Sequence, residues 1–72
     1  MSLPVAPFQT EHHIEMDIDL DDAADDVRRL LAESWCCENA EKRWFRSVNK
    51  LDQMVRFSFE CHRDAVRFWL AN

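Results

Sequence analysis

From residue 12 the chain alternates. His12, Ile14, Met16, Ile18 and Leu20 fall on one side, and His13, Glu15, Asp17 and Asp19 on the other. A period of two held over residues 12–20 predicts a half-buried strand whose outer side is almost purely anionic. Asp21 and Asp22 then supply side-chain acceptors for the orphan N–H groups of a helix start. Within that helix Ala23, Val27, Leu30, Leu31, Ser34 and Trp35 recur at helical spacing and predict one apolar stripe. Asp25 lies three and four residues before Arg28 and Arg29, the favourable acid-first order. Asn39 is the natural left-handed closing residue where no glycine is at hand.

Residues 42–49 predict a second strand with mixed faces. Trp44 and Val48 share one face with Arg46, while Phe45 shares the other with Arg43 and Ser47. Asn49 and Asp52 give turn chemistry. A third strand follows, with Val55, Phe57, Phe59 and Cys61 alternating against Arg56, Ser58 and Glu60. Residues 62–70 predict a last helix whose apolar face is Ala65, Val66, Trp69 and Leu70, with Phe68 off that stripe. The order β-α-β-β-α is satisfied by a two-layer α+β sandwich, a three-stranded sheet with both helices on one face. The strand Val55-Arg56-Phe57-Ser58-Phe59 followed by Asp64-Ala65-Val66-Arg67-Phe68 is similar to the strand-to-helix join of ferredoxin-like domains, RNA-recognition folds included. The whole order resembles that split βαβ fold lacking its last strand. The resemblance implies a fold, not a function. Residues 1–10, with Pro4 and Pro7, are expected to form a flexible arm, and residues 11–72 a single domain.

Composition narrows the chemistry. The 72 residues contain no glycine, which excludes the phosphate-cradling loop and the dinucleotide fingerprint. The net charge of −5 is unevenly divided. The first 26 residues carry eight acids and no Lys or Arg, and the remainder carries six acids and all nine bases, so −8 stands against +3. The segment before residue 9 has no basic start and no long apolar run, and no stretch approaches a membrane span, so a cytoplasmic protein away from membranes is expected. Three cysteines, two adjacent, do not make a disulfide framework.

Four candidate chemistries follow. Glu11, His12, His13, Cys36, Cys37, Cys61 and His62 are the metal-type ligands, but their spacing matches no chelating motif, and no metal or other cofactor is expected. Glu15, Asp17 and Asp19 lie about 7 Å apart along one strand face. That suits a solvated or arginine-neutralised row better than a general acid/base pair, and no catalytic residue is assigned. With Asp21 and Asp22 the row offers an anionic surface to a basic partner. Lys42, Arg43, Arg46 and Arg56, interleaved with aromatics, are the residues an alternative single-stranded nucleic-acid binder would use, although the acidic first strand disfavours it. Finally, the eight Phe and Trp residues exceed what one thin layer hides. Trp44, Phe45 and Phe68, or the open sheet edges, are therefore expected to mediate homodimerisation. The sequence reading is a small binding or regulatory module rather than an enzyme, its alternatives being a single-stranded nucleic-acid-binding dimer and a small metal-binding protein or enzyme.

Overall fold

The computed structural model describes residues 7–72. The chain runs β1 (His12–Asp17), α1 (Ala23–Asn39), β2 (Trp44–Asn49), β3 (Met54–Phe59) and α2 (His62–Ala71). The sheet order is β1-β3-β2, and β3 is antiparallel to both neighbours. β1 and β2 are therefore parallel to each other with β3 inserted between them, and α1 is the crossover. This is the expected α+β sandwich, with both helices on one face of the sheet. No helix among the described residues is long and apolar enough to cross a membrane.

Register assigns each side chain its face. Ile14 stands opposite Phe57 and Met16 opposite Val55, while Trp44, Arg46 and Val48 stand opposite Phe59, Phe57 and Val55. These positions face the helices. His13, Glu15 and Asp17, with Ser58, Arg56 and Met54, and then Phe45, Ser47 and Asn49, occupy the other face. The core is Ile18, Ala32, Cys36, Val55, Phe57, Phe59, Ala65 and Phe68, edged by Ile14, Met16, Leu20, Trp35, Trp44 and Val48. The β1 ladder ends at Asp17, but Ile18 N–H still donates to the Gln53 carbonyl at 3.0 Å, so Ile18 stays inside.

The acid-rich turn before α1 satisfies its own backbone. Asp22 is the N-cap and accepts from Ala24 N–H at 2.8 Å. Asp19 Oδ1 accepts from Asp21 N–H at 3.0 Å, and Asp25 Oδ2 accepts from Asp19 N–H at 2.9 Å. That hydrogen bond first, and the Arg28 guanidinium second, hold the Asp25 carboxyl below its ordinary pKa. In the hairpin, Asn49 Oδ1 accepts from Leu51 and Asp52 N–H, and Gln53 takes the one positive φ among the described residues, 52°.

Several sequence expectations are corrected. Asn39 does not adopt a left-handed conformation; its side-chain amide donates to the Trp35 carbonyl at 3.0 Å, and the cap at Ala40 is extended. Arg28 pairs with Asp25 as expected, but Arg29 pairs with Asp26 and Glu33 instead. Both helices are rolled away from the expected stripes. α1 buries Ala32 and Cys36 and leaves Val27, Leu30 and Leu31 outside. α2 buries Asp64, Ala65 and Phe68 and leaves Val66, Trp69 and Leu70 outside. Of the expected arm, residues 7–10 are described and docked. Phe8 is buried beneath the Arg43 guanidinium, 5.1 Å from its ring centroid, and the Thr10 hydroxyl donates to the Phe59 carbonyl. Residues 1–6 lie outside the described residues.

Candidate interaction surfaces

Glu15, Asp17, Asp19, Asp21 and Asp22 are all exposed, and three of the five also serve contacts within the fold. Glu15 stands opposite Arg56, and its Oε1 receives both Arg56 Nε and Nη2, the latter at 2.8 Å. Asp22 caps α1 and Asp19 closes the turn before it. Asp17, Asp19 and Asp21 remain exposed and gathered near the N-terminal end of α1. The structure therefore leaves an acidic corner where the sequence suggested an acidic strand face.

The four bases are not brought together. Arg43 pairs with Glu60, and Arg56 with Glu15 across β1 and β3. Arg46 lies on the helix-covered face, where Glu33 of α1 holds it at 2.8 Å. Trp44 and Phe45 likewise point to opposite faces and are each half-buried. Stacking platforms and free cations on one surface, as a single strand requires, are not what this arrangement supplies. Lys42 is exposed.

The histidines and cysteines scatter. His12 and His62 bring their rings to 5.2 Å between centroids, tilted by 56°. His13 Nδ1 lies 2.9 Å from the Ser58 hydroxyl. Cys61 precedes α2 as its N-cap, Cys37 is exposed, and Cys36 is buried. No group of three or more His, Cys, Asp or Glu residues among those described is placed to hold a metal ion. Burial pushes the Cys36 thiol up to about 12, with Cys37, Asp64 and Glu33 adding to the rise. Because the thiolate is the nucleophile, native alkylation is expected to modify Cys37 rapidly and spare Cys36 until the chain unfolds. Peptide mapping after iodoacetamide, with and without urea, checks this; equal labelling of both in the native protein would contradict the burial of Cys36.

Asp64 is a buried polar group that the sequence did not single out. It is 0% exposed in the first turn of α2. Its Oδ2 accepts from Glu41 N–H at 3.0 Å and Lys42 N–H at 2.9 Å, pinning the α1–β2 connection to the start of α2. Its Oδ1 makes no hydrogen bond and lies 3.6 Å from Arg67 Nη1. Arg67 in turn stacks over Trp35 at 5.7 Å and reaches Glu41. This network is a clamp between elements.

The largest departure from an ordinary surface is the outer side of the two helices. Val27 is 52% exposed, Leu30 49%, Leu31 63%, Val66 42%, Trp69 66% and Leu70 73%. Trp35 of α1 meets Phe68 and Arg67 of α2. Arg28 lines the same cleft as Trp69 and Asn72, whereas the start of α2 meets the chain beyond the end of α1. The helices therefore run antiparallel. One turn from Trp35 and three residues from Arg67, Leu31 and Leu70 fall beside each other on the outer side. The sequence expectation placed Phe68 on the association surface; at 1% exposure it is core, and its neighbour Trp69 is outside instead. Comparison with family models, with curated proteins and with solved structures finds no match.

Proposed function

We propose that this protein is a small non-enzymatic association module that binds a second copy of itself. The observation carrying this reading is the set of six large apolar side chains on the outside of α1 and α2. A folded chain of this size that can place Phe57, Phe59 and Phe68 fully inside, yet leaves Trp69 and three leucines outside, has apolar surface suited to another protein. Among the described residues, neither a gathered set of free cations nor a metal-type cluster competes with that feature. The exposed acids Asp17, Asp19 and Asp21 would add long-range attraction for a basic protein, a contribution to encounter rate more than to affinity.

Light scattering on the eluting peak of a sizing column tests the reading. At high micromolar concentration the expected mass is twice the 8.6 kDa of the chain, falling towards one copy on dilution. A single-copy mass at every concentration would refute it.

A further inference from the structure

The outer edge of β1 carries a second unsatisfied surface, and its backbone polarity can be read from the ladder. β1 pairs with β3 on one side only, and no described strand pairs with the other. Ile18 N–H points to Gln53 of the β3 side, so in an antiparallel ladder the even-numbered residues of β1 direct their N–H and C=O groups to β3. His13, Glu15 and Asp17 direct theirs outward. The contact from Arg28 Nη1 to the Asp17 carbonyl, 3.4 Å, agrees with that direction and covers the end of the edge. What remains open is the N–H and C=O of His13 and Glu15.

Above this edge stands Trp69. It forms a wall of two clefts strung along β1, both lined by Ile14. One, of about 490 Å³, continues to Met16, Phe68 and Asn72. The other, of about 260 Å³, continues to His12, Ala65 and Val66. A strand seated on the edge would place its helix-side residues beneath Trp69, so it needs apolar residues at alternate positions. β1 itself has that pattern in Ile14 and Met16.

We infer that two copies pair β1 to β1, antiparallel about a two-fold axis, with Ile14 opposite Ile14 of the second copy. This rests on the reading that the chain binds a second copy of itself; of the six exposed side chains it uses the two beside β1, Val66 and Trp69, and leaves those of α1 outside the contact. In that register His13 stands opposite Glu15 of the second copy, twice by symmetry, and the two residues exchange both backbone hydrogen bonds, four in all. The side chains also match. His13 uses Nδ1 toward Ser58, leaving Nε2, and Glu15 uses Oε1 for Arg56, leaving Oε2. A shift of register by two opposes Glu15 to Glu15 in one direction, and His13 to His13 with Glu11 against Glu15 in the other, like charges directly across the strands in both. A shift by one would turn the apolar side of one strand onto the polar side of the other. The result is a six-stranded sheet with all four helices on one side, the β1 edges paired at its centre and the two β2 edges outermost.

Hydrogen exchange and a proline substitution test this together. In the wild-type protein at millimolar concentration, the His13 and Glu15 amides are expected to exchange at least tenfold more slowly than in dilute solution. The Met16 amide, bonded within one copy, should stay protected in both. Proline is tolerated on an edge strand where its missing N–H would face outward, so Glu15→Pro is expected to give a folded single copy, while Glu15→Ala and Leu31→Lys still pair. A dimer whose His13 and Glu15 amides exchange freely, or one broken by Leu31→Lys and not by Glu15→Pro, would overturn this geometry and leave self-association standing. A single-copy mass for the wild type would end both.

Discussion

Replacing Asp64 with alanine is expected to lower the melting temperature by at least ~12 °C, since a domain of 60–100 residues loses ~4–8 °C per kcal/mol and the loss here is about 3 kcal/mol. The carboxylate is fully buried and serves two backbone donors of the α1–β2 connection, Glu41 N–H and Lys42 N–H. Alanine leaves both without an acceptor and removes the anion that Arg67 faces at 3.6 Å. A single core in a chain of this length supplies only ~3–5 kcal/mol, so the variant should be largely unfolded at physiological temperature. Asp64→Asn discriminates the parts of the effect. Its carbonyl can still receive Glu41 and Lys42, but its amide would point at Arg67, so about half the loss is expected. Thermal unfolding followed by circular dichroism reads both variants. If Asp64→Ala melted within 3 °C of the wild type, by about the ~0.5 kcal/mol typical of a surface change, the clamp would carry no weight.

Asp64 also marks the limit of what the sequence discloses. An acid in the first turn of a helix is the ordinary complement of the helix dipole, and nothing in its spacing says that it is buried. Only the meeting of α2 with the end of α1 gives it backbone N–H groups to bind. The strands were legible, because alternation is a local property. His12 through Ile18, the mixed faces of Trp44–Asn49 and the inward Val55, Phe57 and Phe59 follow from a period of two and stand as expected. The turns made without glycine were legible only in part. Asp22, Asn49 and Asp52 act as expected, while Asp21 donates its N–H to Asp19 instead of capping α1 and Asn39 stays helical. Asp19, Asp22, Asn49 and Asp52 do the turning, joined by the Gln53 backbone at positive φ.

The helical faces were not legible, and the reason is competition between neighbours. On α1 the stripe of Val27, Leu30 and Leu31 is the most apolar, yet the sheet presents Arg46 among its aromatics. The ion pair of Arg46 with Glu33 accompanies a roll of α1 that brings the small residues Ala32 and Cys36 into the core. The same pairing removes Arg46 from any surface for phosphate. The neutralisation of Glu15 on the acidic row was legible, while the engagement of Asp19 in the turn was not. Arg56 lies directly across from Glu15, as the sheet order implied, and Asp19 and Asp22 were already committed to backbone donors.

Phe68→Ala is expected to cost about 3–5 kcal/mol, while Trp69→Ala should change the stability of the single copy by about 0.5 kcal/mol or less. Size alone would rank them the other way. Phe68 sits between Phe57 at 4.7 Å and Phe59 at 5.1 Å, with the edge of Trp35 at 5.7 Å, and is 1% exposed. Truncating it empties the centre of the core, and three aromatic rings cannot close the gap. Trp69, 66% exposed, leaves no such cavity. The roll of α2 couples the two outcomes to Asp64. Successive residues on a helix are ~100° apart, so turning Trp69 inward would swing Phe68 off Phe57 and lift Asp64 from the α1–β2 connection. Urea unfolding at low micromolar concentration measures the pair without a contribution from self-association. Comparable losses for both variants would mean that α2 packs through Trp69 after all. A large loss confined to Phe68, together with weaker pairing of Trp69→Ala copies at high concentration, is the outcome that separates the core of this protein from its contact surface.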